Sequence, residues 1–114
     1  MKYRNKKVQI DRYIFDSILE AKRYRQLALL ERAGKIKDLQ LQVPFLLQES
    51  FRKNGKTYRK IEYIADFVYR IVANNKMVVE DTKGIKTDVF KIKQKLFEYK
   101  YPDLELKIIT KEQV

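Results

Sequence analysis

Tyr63-Ile64-Ala65-Asp66-Phe67-Val68-Tyr69, a turn at Ala73-Asn74-Asn75-Lys76, and then Met77-Val78-Val79-Glu80-Asp81-Thr82-Lys83-Gly84 form the stretch whose reading decides the fold. The first segment is apolar at both alternating sets of positions, as in a central strand covered on both faces. The Asn-rich turn returns the chain as a second strand, ended by Gly84, so the two segments form a hairpin. Asp66 is the one carboxylate inside the first strand. Burying it alone costs several kcal/mol or more, so it must meet a cation, either one of the many lysines or a metal. Strand alternation places Asp81 and Lys83 on one face of the second strand, with Glu80 and Thr82 on the other.

Working outward, the first dozen residues are basic and polar. Residues 1–9 read as a basic arm leading into a short strand near Val8 to Tyr13. Ser17 with Glu20 three residues later makes a capping box that opens a helix, and Gly34 closes it. Leu19, Leu29, Leu30 and Ala33 recur at helical spacing as its expected buried stripe, with Lys22, Arg23, Arg25 and Arg32 outside or at the margins. Leu39 to Gln48 alternates as a strand, Leu39, Leu41, Val43 and Phe45 against Gln40, Gln42 and Pro44. Lys53-Asn54-Gly55-Lys56 is a tight turn, and the next strand is expected from Thr57 to Ile71. A second helix follows from about Lys86 to Tyr101, stopped by Pro102, and Leu104 to Ile109 is a last strand. This is one α/β domain spanning 1–114, a mixed sheet flanked by helices, in the order helix, three strands, helix, strand.

The 114 residues carry 26 Lys and Arg against 15 Asp and Glu, a formal net charge of +11, and contain neither His nor Cys. Those two absences remove zinc fingers, thiol chemistry and every mechanism that needs imidazole, leaving carboxylates, lysines, hydroxyls and hard metals. No run approaches eighteen apolar residues, and Met1-Lys2-Tyr3-Arg4-Asn5-Lys6-Lys7 lacks the apolar segment of a secretory signal, so a cytoplasmic protein without membrane contact is expected. The positive surplus favours a polyanion, nucleic acid foremost, because Lys and Arg release its condensed counterions. Anionic membrane surfaces and simple solubility use the same charge.

The hairpin brings Asp66 near Asp81. Two carboxylates about 4 Å apart repel by roughly 4 kcal/mol at an effective dielectric of 20, which calls for a cation between them. With only oxygen ligands on offer, that cation is expected to be Mg²⁺ or Mn²⁺. Lys83 would orient an attacking water or help deprotonate it. The acid-x-Lys tripeptide also occurs at Glu20-Ala21-Lys22, Glu98-Tyr99-Lys100 and Glu105-Leu106-Lys107, so position at a strand end is what singles out Asp81-Thr82-Lys83. Glu20 has two readings, member of a capping box or third carboxylate of the site, since the helical wheel sets it beside Tyr24 and Leu27 at the edge of the apolar stripe. In the second helix Lys93 lies at the centre of an apolar arc of Val89, Phe90, Leu96 and Phe97. It either snorkels to solvent or points at a phosphate. Lys91 and Lys95 point away. Lys86 opens that helix, and Tyr3, Arg4, Lys6, Lys7 and Arg12 mix basic and aromatic residues in a way that suits a DNA-gripping arm or a simple tail.

Together these features resemble the PD-(D/E)XK nuclease superfamily over about Ile10 to Ile109. More narrowly, Phe15-Asp16-Ser17 with Glu20-Ala21-Lys22-Arg23-Tyr24, Tyr63-Ile64-Ala65-Asp66-Phe67 and Glu80-Asp81-Thr82-Lys83-Gly84 look like a small phage-associated family within it, catalogued as of unknown function and grouped with DNA endonucleases and, by analogy, Holliday junction resolvases. The resemblance implies a restriction-endonuclease-like αβββαβ core, Asp66 and Asp81 as metal ligands, Lys83 as catalytic lysine and Glu20 as a further acidic member. Ala65 stands where the superfamily's naming proline would be, and a one-residue slip would put Glu80 in place of Asp81 on the active face.

The expected function is therefore a Mg²⁺-dependent DNA endonuclease of a phage or prophage in a bacterial host. The narrower expectation is a branched-DNA or Holliday junction resolvase, which would act as a homodimer because symmetric cutting needs two sites. Tyr13, Phe15 or Phe51 are the candidate dimer contacts. The rival from another class is a non-catalytic basic DNA-binding module of phage replication or packaging, in which the carboxylates serve as salt bridges. An RNA-processing role is a third reading, since nothing in the chain tells deoxyribose from ribose.

Overall fold

The computed structural model describes residues 7–114. Strands β1 (Val8–Ile10) and β2 (Tyr13–Phe15) form a small antiparallel hairpin ahead of helix α1 (Ile18–Arg32). Strand β3 (Ile36–Gln48) follows, then the short strands β4 (Phe51–Lys53) and β5 (Lys56–Tyr58). Strands β6 (Ile61–Ile71) and β7 (Met77–Thr82), helix α2 (Asp88–Lys100) and strand β8 (Glu105–Ile109) complete the core. The main sheet has the order β3-β6-β7-β8, antiparallel except for the parallel β7–β8 pair, which α2 connects. Without the β4–β5 insertion, the sequence of elements from α1 onward is αβββαβ, a mixed α/β fold as expected.

Several boundaries differ from the sequence reading. The expected arm of residues 1–9 overlaps β1 at Val8 and Gln9, and the single early strand is two, separated by Asp11 at a φ of 55°. The strand expected from Thr57 is divided at Arg59-Lys60, which separates the β4–β5 hairpin from the main sheet. Asn54 and Gly55, at φ 52° and 74°, supply the paired left-handed conformations of its turn.

Helix α1 is capped as expected at its start, with the Ser17 hydroxyl accepting from the Glu20 amide at 3.1 Å. It ends in a Schellman arrangement, with Gly34 at φ 78° and the Lys35 amide donating to the Leu30 carbonyl. Its buried face is Glu20, Ala21, Tyr24 and Leu27. The expected stripe is corrected: Leu29, Leu30 and Ala33 are exposed, because the sheet covers the arc of Glu20, Tyr24 and Leu27, about 150° round the helix from them at 100° per residue.

Two apolar layers sandwich the sheet. On the α1 side Phe15, Tyr24, Leu27, Phe67, Tyr69 and Val78 pack together, and on the α2 side Tyr63, Ala65, Val68, Val79, Phe90 and Phe97. A regular strand keeps residues i and i+2 on one face. Here Ala65 belongs to the α2 layer and Phe67 to the α1 layer, while on the neighbouring strand Leu41 packs with the α1 layer and Val43 with the α2 layer. Leu41 pairs with Phe67 and Val43 with Ala65, so both strands change face at the positions between them, Gln42 and Asp66. Gln42 has a φ of 54°, a left-handed conformation that an unbranched residue adopts only under constraint. The expectation that Leu39, Leu41, Val43 and Phe45 share one face is corrected accordingly, and Ile64 beside the crossover is exposed.

Candidate active site

The β6–β7 ladder runs from Arg70↔Met77 to Phe67↔Glu80 and stops there. One more step in that register would set Asp66 opposite Asp81. Beyond this point β7 stays paired only with β8, through Thr82↔Ile109. Asp66 spans the gap: its Oδ2 accepts from the Thr82 backbone amide at 2.9 Å and from the Thr82 hydroxyl at 2.7 Å. A side chain thus takes up a strand amide that the departing ladder would leave unpaired.

Asp81 is buried, on the α2 side of the sheet. Its Oδ2 accepts from the Tyr63 hydroxyl at 2.7 Å and lies 3.1 Å from the Lys83 ammonium. The same ammonium sits 4.6 Å above the Phe90 ring centre, a cation–π contact that fixes the lysine stem against α2. Burial first, and then the adjacent Asp66 carboxylate, push the Asp81 carboxyl up to about 7. Burial likewise raises the Tyr63 phenol, which keeps its proton and remains a donor.

Glu20 resolves its two readings in an intermediate way. Its amide completes half of the capping box. Its carboxylate is buried and turns to the sheet, where Oε2 accepts from Gln42 Nε2 at 2.9 Å. The same amide nitrogen lies 3.3 Å from Asp66 Oδ1. Burial, followed by the charge of Asp66, raises the Glu20 carboxyl to about 7. Gln42 is therefore a neutral double donor held between two carboxylates, and its left-handed backbone is what directs it there.

Glu80 lies on the opposite face. It is fully buried and held by Arg23 in a two-pronged pair, Nε to Oε1 at 2.7 Å and Nη2 to Oε2 at 2.6 Å, with the Tyr69 hydroxyl donating to the same Oε2. Glu80 thus belongs to the α1 layer, while Asp81 is the one of the two adjacent carboxylates that stands beside Lys83. Arg23, expected outside or at the margin of the helix, points inward.

Of the proposed cationic positions, Lys83 joins the acidic group. Lys93 lines a shallow groove of about 320 Å³ with Val89, Ile92, Leu96 and Ile61, and among the described residues it makes no ion pair. The arc expected to bury it is split, because Phe90 and Phe97 are buried while Val89 and Leu96 are exposed. Lys86 and Lys7 are exposed, and Arg4 and Lys6 lie outside the described residues. Of the three apolar residues expected to be exposed, Phe15 is buried, a correction, and Tyr13 is partly buried against the α1 layer, while Phe51 is exposed and stacks on Tyr58.

Gln42, Tyr63 and Thr82 are the site members that the sequence reading missed. Each looked like an ordinary strand residue, and only the crossover and the ladder's end give them their roles. As for a cation, hard oxygen donors are the right chemistry for Mg²⁺ or Mn²⁺, and two raised carboxyl groups beside Asp66 are what such an ion relieves. Among the described residues no three acidic side chains stand in ligating geometry, Gln42 being interposed between Glu20 and Asp66.

A mixed α/β domain with three carboxylates and a lysine gathered where its central hairpin splays is the class that the fold and site define. The chain belongs to the DUF1064 family, described as a protein of unknown function, which it matches over residues 1–113. No curated protein and no solved structure matches it. Among the described residues no helix is long and apolar enough to cross a membrane.

Proposed function

We propose that this protein is a metal-dependent endodeoxyribonuclease of the PD-(D/E)XK type that hydrolyses phosphodiester bonds in DNA. The observation that carries the reading is the convergence of Asp66, Asp81 and Lys83 at the end of the β6–β7 ladder, with Glu20 joined to Asp66 through Gln42. A divalent cation held by Asp66, Asp81 and Glu20 would supply the charge that polarises a phosphate and acidifies a bound water. The chain's own groups do the rest. Thr82 and Tyr63 fix the orientation of the two aspartates, and Gln42 spaces Glu20 from Asp66. Lys83, held between Asp81 and the Phe90 ring, offers its ammonium to the water and to the negative charge that builds on the phosphate oxygens. A net charge of +11 brings a polyanion to this acidic pocket.

Within that reading, a phage resolvase acting on branched DNA as a homodimer is the narrower form. The test is incubation of the purified protein with labelled four-way junction, flap and linear duplex in Mg²⁺, Mn²⁺ or EDTA. Cleavage that EDTA abolishes supports the enzyme. A second reading, a basic DNA-binding module of phage replication or packaging, is favoured by one observation. Among the described residues every buried side-chain polar atom already has a hydrogen-bond partner, so the acidic group is also self-consistent as structure. That reading predicts salt-sensitive binding and no products with any metal.

A further inference from the structure

The β4–β5 hairpin is the part of the molecule that neither the core nor the acidic site explains. Every residue from Glu49 to Lys60 is exposed, and β4 and β5 pair only with each other, as a ribbon continuing beyond the last β3–β6 pair, Gln48↔Ile61. These twelve residues hold Arg52, Lys53, Lys56, Arg59 and Lys60 against the single acid Glu49. A ribbon with no apolar contact to the body would be marginal in water, so its order must come from within. It does. Phe51 and Tyr58 stack with ring centres 4.8 Å apart at 9°, Lys56 lies 5.0 Å from the Tyr58 ring centre, and Arg52 bonds the Thr57 hydroxyl and the Gly55 carbonyl. Among the described residues, the two exposed aromatic rings and five cations of this ribbon contact only one another and their own turn, apart from the Lys60–Glu62 ion pair.

We propose that this hairpin is a duplex-DNA arm, a two-stranded ribbon that enters the major groove of B-form DNA and sets its lysines and arginines against the flanking phosphates. The major groove of B-DNA, about 12 Å wide and 8.5 Å deep, admits a two-stranded ribbon, whereas the deep and narrow groove of A-form RNA does not. Cross-strand pairing puts Phe51, Tyr58, Lys53 and Lys56 on one face and Arg52 with Thr57 on the other. The aromatic pair stiffens the base of the ribbon, and Lys53 and Lys56 flank its turn. Asp66 is five residues along β6 from Ile61, about 17 Å at strand rise, so the base of the arm stands about five base pairs from the acidic site and both can engage one duplex. The binding role stands whether or not the acidic site cuts.

The test measures the affinity of the full chain for a mixed-sequence DNA duplex in EDTA, where no cleavage can occur, over a range of KCl. The triple variant Lys53→Ala, Lys56→Ala, Arg59→Ala is compared with a control triple on exposed positions of α2, Lys91→Ala, Lys95→Ala, Lys100→Ala. All substituted residues are exposed, and circular dichroism checks that each protein is folded. The expected result is a slope of log affinity against log salt that falls by about 3 for the hairpin variant and by less than about 1 for the control. Duplex RNA of the same sequence should show no hairpin-dependent change. An unchanged slope, an equal loss in both triples, or the same loss on duplex RNA overturns the proposal. So does a wild-type dimer in sedimentation that the hairpin variant alone breaks, since the ribbon would then be a self-association element. Failure of the nuclease reading appears separately, as absence of Mg²⁺-dependent products with hairpin-dependent binding intact.

Discussion

Asp66 and Thr82 are joined by two hydrogen bonds, amide to Oδ2 at 2.9 Å and hydroxyl to Oδ2 at 2.7 Å, at the point where β6 leaves β7. The contact closes the end of the ladder and orients a carboxylate that the splayed strands would otherwise leave free to rotate. Thr82→Val removes one of the two donors and keeps the β-branched shape. Urea unfolding should show a loss of about 1 to 2 kcal/mol, and an unchanged midpoint would mean that the hydroxyl contributes nothing.

Arg23 and Glu80 form a buried ion pair on the opposite face, and its two halves should behave unequally. Arg23→Met leaves a buried, uncompensated carboxylate and is expected to cost about 3 to 5 kcal/mol. Replacing both residues, Arg23→Met with Glu80→Met, removes that charge and should recover much of the loss. A double variant less stable than the Arg23→Met variant would contradict the unpaired Glu80 charge as the source of that loss.

Glu20 and Asp81 have carboxyl groups raised to about 7 from ordinary values of 4.5 and 3.8. Because the folded state holds these protons more tightly than the unfolded chain, their contribution to stability is fully present below about pH 4 and is lost as the pH rises through about 7. In EDTA, thermal stability should therefore fall between about pH 4 and about pH 7, and Asp81→Asn should flatten the fall. A divalent cation selects the ionised forms, so stabilisation by Mg²⁺ should grow over the same interval. Stabilisation by Mg²⁺ that is independent of pH would place the cation elsewhere.

Gln42 stands between Glu20 and Asp66, at 2.9 and 3.3 Å. Gln42→Glu keeps the shape and replaces a donor by a fourth carboxylate, adding repulsion on the order of 4 kcal/mol per close ionised pair at an effective dielectric of 20. The variant should melt well below the wild type in EDTA at neutral pH and regain stability with Mg²⁺ or acid. Equal melting temperatures with and without the cation would rule out a shared carboxylate pocket.

The hairpin from Tyr63 to Lys83, the two helices and the closing strand were legible because apolar alternation, the Asn-rich turn, the Ser17 cap and Pro102 all act locally. Asp66, Asp81 and Lys83 were legible as a neighbourhood from the hairpin pairing together with the parity of its second strand. The side chains that organise them were not. Gln42 sits among alternating polar residues of its strand, and nothing local announces that its backbone turns left-handed, since that conformation is imposed by two strands changing layers together. The same crossover broke the parity on which the expected burial of β3 rested. Glu80 and Asp81 are adjacent carboxylates, and their division of labour depends on Arg23, fifty-seven positions away, turning inward. Leu29 and Leu30 obeyed helical spacing, but a periodic stripe does not reveal whether the sheet covers it or the arc of Glu20, Tyr24 and Leu27 on the other side of the helix.

The most direct test of the central claim is cleavage of labelled branched and linear DNA by wild type, Asp81→Asn and Lys83→Ala in Mg²⁺ and in EDTA, with binding measured alongside. The account predicts products only with the cation, a loss of at least about a hundredfold in rate for both variants, and DNA affinity within a few fold of wild type. Full Mg²⁺-dependent cleavage by either variant, or wild-type binding with no product under any metal, would contradict it.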